Sequence, residues 1–232
     1  MISLNAFNRG KSLVEAILRN MSELKASRFS AMTKILLLFL SFRGRANFNQ
    51  FGRQGELCEK SYRLHFEKDF NWLEFNSLLI EHSCSDELII GFDPSYILKS
   101  GKHTPCLGYF YSGVASKYIK GLEIGNISAI DIKQNTAYHL EAVQSPSNKK
   151  DKLCTGDKSL VDHYAQIVLE RSKELEKVSK TLVVDGYFAK SKFVDAITED
   201  TNMELICRLR DDANLNYLYG GKQNTGRGRK RN

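Results

Sequence analysis

Two aspartates far apart in the chain share one setting. Asp93 follows the apolar run Leu88, Ile89, Ile90 in DELIIGFDPSYI (86–97), and Pro94 is expected to stop regular strand pairing directly after it. Asp185 repeats the design in TLVVDGYFA (181–189), after Leu182, Val183 and Val184. A short, wholly apolar run reads as a strand buried on both faces. An acid at its end adds nothing to packing, and it sits where open α/β sheets place their sites, outside the carboxyl ends of the strands. Two such acids on neighbouring strands can hold a divalent metal jointly. Either one alone also reads as an ordinary turn residue or helix N-cap; it is the pair that points to a metal site.

The flanking sequence supplies the elements such a pair needs. Apolar runs predict strands at 87–92, 121–131 and 136–144, with a turn near Lys133–Asn135, and these would form an antiparallel meander. Residues 99–105 (KSGKHTP) read as a polar loop whose Lys99, Lys102 and His103 can line a site, and 145–158 reads as a second loop. A long helix is expected over 157–179, with Leu160, Tyr164, Ile167, Arg171, Leu175 and Val178 on one stripe. His163 lies beside that stripe and reads as a packing or surface histidine. A strand at 181–186, a helix from Ser191 to Ile197 and a strand at 203–210 complete the order. Three strands, helix, strand, helix, strand is the order of an RNase H-like α/β layer with a mixed sheet.

Before this region the chain reads as helical. A helix is expected over 12–24, with Ser12 and Glu15 as a capping box and Leu13, Ile17, Met21 and Leu24 as its apolar stripe. A more buried helix follows over 30–42. Residues 43–68 then predict a short helix to about Phe51, a turn at Gly52–Gly55 and a helix from Glu56 to about Phe66, the pattern of a helix-turn-helix. Its second helix would present Lys60 and Arg63, with Arg43, Arg45 and Arg53 nearby to meet phosphates. The same pattern also fits a plain helical hairpin with a solvated basic face. A last helix, 71–82, would be capped by Asn71 and Glu74 and would bury Trp72, Phe75 and Leu79. A domain boundary is placed near residue 84.

Charge is unevenly distributed over the 232 residues. The net value of +7 divides into +7 over residues 1–63, −5 over 64–221 and +5 over 222–232. Basic ends fit a polyanionic partner. The tail GGKQNTGRGRKRN (220–232) is Gly-rich and basic and is expected to be mobile. The five cysteines, Cys58, Cys84, Cys106, Cys154 and Cys207, show no zinc-ligand spacing and read as reduced thiols of an intracellular protein. The apolar run ILLLFL (35–40) is too short to span a bilayer. No signal peptide is recognised at the N-terminus, so no membrane partner is expected.

Several segments resemble the DDE transposases of bacterial insertion sequences: GFDPSYILKSGKHTPCLGYFYSG (91–113), GLEIGNISAIDI (121–132), HLEAVQSP (139–146), VVDGYFAKSKFVDAI (183–197) and ICRLRDDANLNYLY (206–219). The nearest branch carries a β-strand insertion in its RNase H-like core and a Tyr/Arg/Glu/Lys third motif. NFNQFGRQGELCEKSYRLHF (47–66) is similar to that branch's N-terminal DNA-binding region, and the resemblance runs from about residue 43 to the end.

The resemblance implies Mg²⁺-dependent (or Mn²⁺-dependent) cleavage and transfer of DNA strands, with Asp93 and Asp185 as the first two metal-holding acids. It implies double-stranded DNA as partner (element ends and target), a homodimer, and a cytoplasmic, nucleoid-associated protein. Residues 1–84 would be the helical DNA-binding region, 85–219 a partial catalytic domain and 220–232 a flexible tail. The family's third acid is a Glu beyond the insertion, and no Tyr/Arg/Glu/Lys pattern occurs here. Glu199, Glu204, Asp211 and Asp212 follow Asp185 at unsuitable positions. The expectation is therefore a core incomplete at its C-terminus, the front of a transposase from an interrupted reading frame. The alternative is a non-catalytic DNA-binding fragment that competes for element ends.

Overall fold

The computed structural model describes residues 4–44, 46–101, 103–146, 159–210 and 213. Its centre is a six-stranded mixed sheet of β1 (Leu88–Leu98), β2 (Gly108–Ser112), β3 (Lys117–Asp131), β4 (Thr136–Gln144), β5 (Thr181–Val184) and β6 (Glu204–Cys207). β1 pairs antiparallel with β3 over its whole length, from Leu88↔Asp131 to Leu98↔Gly121. β4 pairs antiparallel with β3, from Asp131↔Thr136 to Ile124↔Gln144. Gly121 is opposite both Leu98 and Gly108, so β2 lies along the edge of β3 away from β1, end to end with β4. β5 runs parallel to β1, and β6 parallel to β5. Parallel neighbours need crossover connections, and α6 (Leu160–Val178) and α7 (Ser191–Asp200) supply them.

Strand alternation decides which face is buried. Ile90, Phe92, Ile127, Ala129, Leu182 and Val184 fall on one face and pack against Tyr164, Ile167, Val168 and Leu175 of α6. Phe193 and Ile197 of α7 join them, as do Leu73 and Ile80 of α5 (Trp72–Glu81). Ser159 and Asp162 form a reciprocal capping box that starts α6 at Leu160. The alternate face carries Ile89, Gly91, Asp93, Asn126, Ser128, Ile130 and Val183, none of which belongs to this core.

A second core lies among α1 (Leu4–Asn20), α2 (Ala26–Ser41), α3 (Phe48–Gln54) and α4 (Glu59–Phe66), built on Ile17, Leu18, Met32, Ile35, Phe51 and Tyr62. α5 joins the two, because its Phe75 belongs to this second core. The Asn76 side chain of α5 donates to the Leu140 carbonyl of β4 at 2.7 Å, and Glu74 accepts from the Ser22 amide at 2.8 Å. Asn71 caps α5 by accepting from the Glu74 amide, as the sequence predicts.

Several expectations need correction. α1 begins at Leu4, so Ser12 is inside the helix and caps nothing, and Val14 and Leu18 take buried positions while Leu13 is exposed. α3 continues through Gly52 to Gln54, and the turn falls at Gly55–Cys58. Gly52 serves close approach instead of a turn: a Cβ there would sit 2.9 Å from the Glu59 backbone nitrogen. β1 does not stop at Pro94 but stays paired to Leu98. Among the described residues it pairs on its β3 side alone beyond Gly91, and such a one-sided strand tolerates proline. β2 was not foreseen. Cys106 is disulfide-bonded, which overturns the reading of uniformly reduced thiols. The expected α/β class with a mixed sheet holds. No helix of the described residues is long and apolar enough to cross a membrane.

Candidate functional site

The register of β1 and β5 brings the two acids together. Ile90 is opposite Leu182 and Gly91 opposite Val183; two residues past this last pairing, Asp93 continues along β1 and Asp185 follows the end of β5. Alternation from Ile90, Phe92, Leu182 and Val184 places both on the face that α6 leaves open. Asp93 is opposite Asn126 on β3. Asp185 leaves the end of β5 and starts a short 3-10 turn, Gly186–Phe188, where its Oδ1 accepts from the Tyr187 amide at 2.9 Å. Asp185 is thus an N-cap as well as a member of the pair, and its second oxygen lies outside that bond.

The electrostatics agree with this proximity. The Asp93 carboxyl is held above its usual range, first by loss of surrounding water and then by the negative charge of Asp185. Two like charges brought together in this way are relieved by a cation. Lys190 is one neighbour: its ammonium lies 3.7 Å from the centroid of the Tyr187 ring. Burial pushes that ammonium's pKa down, the Arg210 charge adds to the effect, and Asp185 opposes it.

Sequence reasoning missed a buried carboxylate on the covered face of the same sheet. Glu123, on β3, is only 2% exposed and accepts a hydrogen bond from the Tyr164 hydroxyl of α6. Tyr96 of β1 is directly opposite Glu123 in the ladder. Burial, then the Glu123 charge and hydrogen bond, push the Tyr96 hydroxyl up to about 12, with Asp93 contributing. Tyr187 is also raised, by burial, then Glu123, then Asp185. Glu123 therefore ties β1, β3 and α6 together beside the pair, from the covered face of the sheet. A signal for it exists in GLEIGNISAID, where Glu123 shares the buried parity of Ile127 and Ala129.

Two carboxylates suit a hard divalent cation in kind. Among the described residues no group of three or more His, Cys, Asp and Glu side chains is arranged to hold a metal. Asp131, buried at the far end of β3, accepts from the Ser85 amide and hydroxyl and from the Gln134 amide, which accounts for it structurally.

Of the basic residues singled out for DNA, Arg53 and Arg63 come together. They line an open depression of about 370 Å³ with Asn47, Phe48, Asn49, Gln50 and Glu59. Arg63 is partly committed: it pairs with Glu59 at 2.7 Å and lies over the Phe48 ring at 4.7 Å. Arg43 and Lys60 are exposed outside that depression. Arg45, Lys102, Asp211, Asp212 and the basic tail 220–232 lie outside the described residues. His163 is half-buried, and its Nε2 has no hydrogen-bond partner among the described residues.

Comparison with models of known protein families finds no match, and comparison with curated proteins finds none either.

Proposed function

We propose that this chain is a DDE-type transposase protein, an RNase H-like nuclease and strand transferase acting on double-stranded DNA. The observation that carries this reading is that Asp93 and Asp185 each follow the last residues paired between β1 and β5 by two positions, with the Asp185 charge acting on Asp93. The strand order β4-β3-β1-β5-β6, with antiparallel strands on one side of β1 and parallel strands on the other, supports the RNase H-like part.

In this reading Asp93 and Asp185 would hold Mg²⁺ or Mn²⁺, which would supply charge stabilisation for phosphoryl transfer. Glu123, Tyr96 and Tyr164 act as positioning residues by fixing β1 against β3 and α6. Lys190 supplies a positive charge next to the pair. Arg43, Arg53, Lys60 and Arg63 meet the phosphates of duplex DNA, with residues 1–84 as the DNA-binding region. A homodimer working on DNA in the bacterial cytoplasm goes with this reading.

The test is nicking of supercoiled plasmid with Mg²⁺ or Mn²⁺. Conversion to open circles that is lost in Asp93→Asn and in Asp185→Asn supports the reading. No cleavage with any divalent metal contradicts it for this chain.

A second reading, a DNA-binding module without catalysis, is favoured by one observation: no third acidic ligand joins the pair among the described residues. It predicts duplex binding that survives Asp93→Ala and weakens steeply with salt.

A further inference from the structure

Between Asp93 and Glu123 the chain changes character. From Pro94 to Leu122 it has no Asp or Glu, but it carries Lys99, Lys102, Lys117 and Lys120. Most of this segment forms the β2–β3 hairpin, whose two sides differ. Gly108, Phe110 and Ser112 of β2 are buried, while Tyr109 and Tyr111 are exposed. Register sets Tyr109 opposite Lys120 and Tyr111 opposite Tyr118, so three tyrosines and a lysine share the outer side. Tyr111 and Tyr118 meet edge to face with ring centroids 5.5 Å apart, and they remain 52% and 68% exposed. A contiguous exposed aromatic surface of this kind marks a binding site more often than chance packing.

The platform is held from beneath. Phe110 is buried, with its ring 6.2 Å from that of Tyr96. In the connecting turn the Ser112 hydroxyl accepts from the Ala115 amide at 3.2 Å, and Ser116 takes a left-handed φ of 49°. Parity along β3 also links the platform to the acids. Tyr118 and Lys120 alternate on the same side as Asn126, which is opposite Asp93.

We propose that the outer side of the β2–β3 hairpin is a platform for single-stranded nucleic acid. Bases stack on Tyr109, Tyr111 and Tyr118, and phosphates are met by Lys120, by Lys117 at the hairpin tip and by Lys99 at the end of β1. Charge chooses this occupant: a segment with four lysines and no Asp or Glu from Pro94 to Leu122 complements a polyanion, and flat phenol rings accept any base. The strip leads along β3 toward the acid pair. The site needs no catalysis and stands or falls apart from it.

The test is fluorescence anisotropy of the full chain with a labelled short oligothymidylate and, in parallel, a labelled duplex. Tyr111→Ala with Tyr118→Ala is expected to weaken oligothymidylate binding about tenfold or more while duplex binding stays unchanged. Replacing the same pair by Phe keeps the rings and should keep the binding. Lys117→Ala with Lys120→Ala should flatten the logarithmic salt slope of single-strand binding by about 1.4. Single-strand binding is read without divalent metal, so a failure of plasmid nicking does not touch this proposal. Circular dichroism confirms that each variant is folded. Oligothymidylate binding that is absent in the wild type, or unchanged in the double Ala variant, overturns the proposal. So does a wild-type dimer that the double Ala variant converts to monomer without any oligonucleotide binding, which would make this surface an interface between copies.

Discussion

The two faces of the sheet are made by the same strands and do opposite work. On one face Ile90, Phe92, Ile127, Leu182 and Val184 are sealed beneath α5, α6 and α7. On the other lie Asp93 and Asp185, and the side of Tyr118 and Lys120 continues the parity of Asp93's partner Asn126. The period of two in a strand makes this division possible: one residue in each pair packs and its neighbour is released for chemistry. Substitutions on the covered face should therefore cost stability, and substitutions on the open face should cost function with the fold intact.

The largest effect tests the covered face. Phe92 is buried against Tyr164 and Phe188, with ring centroids 5.8 and 5.5 Å away. Phe92→Ala should lower the unfolding free energy by about 3–5 kcal/mol in urea titration. A loss under about 1 kcal/mol would mean that this face is not tightly packed.

Glu123 blurs the division, because it is a charge on the covered face. Glu123→Ala would leave the buried Tyr164 hydroxyl without its acceptor, and a loss of about 1–3 kcal/mol is expected in the same titration. Tyr164→Phe removes the donor and leaves Glu123 with less support, so it should also destabilise. A neutral outcome for both variants would remove the tie between β1, β3 and α6.

A smaller effect concerns pH. His163 on α6 is held below its ordinary value of 6.5, first by burial, with Arg171 adding and Glu170 opposing. A depressed pKa contributes stability that is present above 6.5 and lost as pH falls through the lower folded value. Thermal midpoints measured downward from neutral pH should therefore fall less steeply in His163→Leu than in the wild type. Equal slopes would mean that His163 is as solvated in the folded chain as in the unfolded one.

The smallest stability effect belongs to the open face. Asp93→Asn removes a carboxylate whose ionised form the fold disfavours. In metal-free buffer near neutral pH its thermal midpoint should equal or slightly exceed that of the wild type. The difference should vanish at acid pH, where Asp93 is protonated in both states. A clear loss of stability would make Asp93 a packing residue and erase the contrast between the faces.

Much of the sheet face that holds the acids was legible because its signals are local. Leu182–Val184 before Asp185 read directly as a buried strand, β4 was expected with the bounds it has, and the Asn71 cap marked the start of α5. What escaped depends on tertiary contact. Gly52 looks like a turn residue until the close approach of α4 is known. Pro94 looks like a strand end until β1 is seen, among the described residues, to pair on its β3 side alone beyond Gly91. β2 is five residues long and alternates exposed tyrosine with buried Gly, Phe and Ser, a pattern too short to declare itself without β3 beside it. Glu123 carried a parity signal that only its buried neighbours make meaningful.

If Asp93 and Asp185 act as one cation site, calorimetric titration of the folded chain with Mn²⁺ should detect it. The expected result is saturable binding in the wild type that is lost in Asp93→Asn and, separately, in Asp185→Asn, with both variants folded. Binding that persists in either variant, or no binding in the wild type, would contradict it.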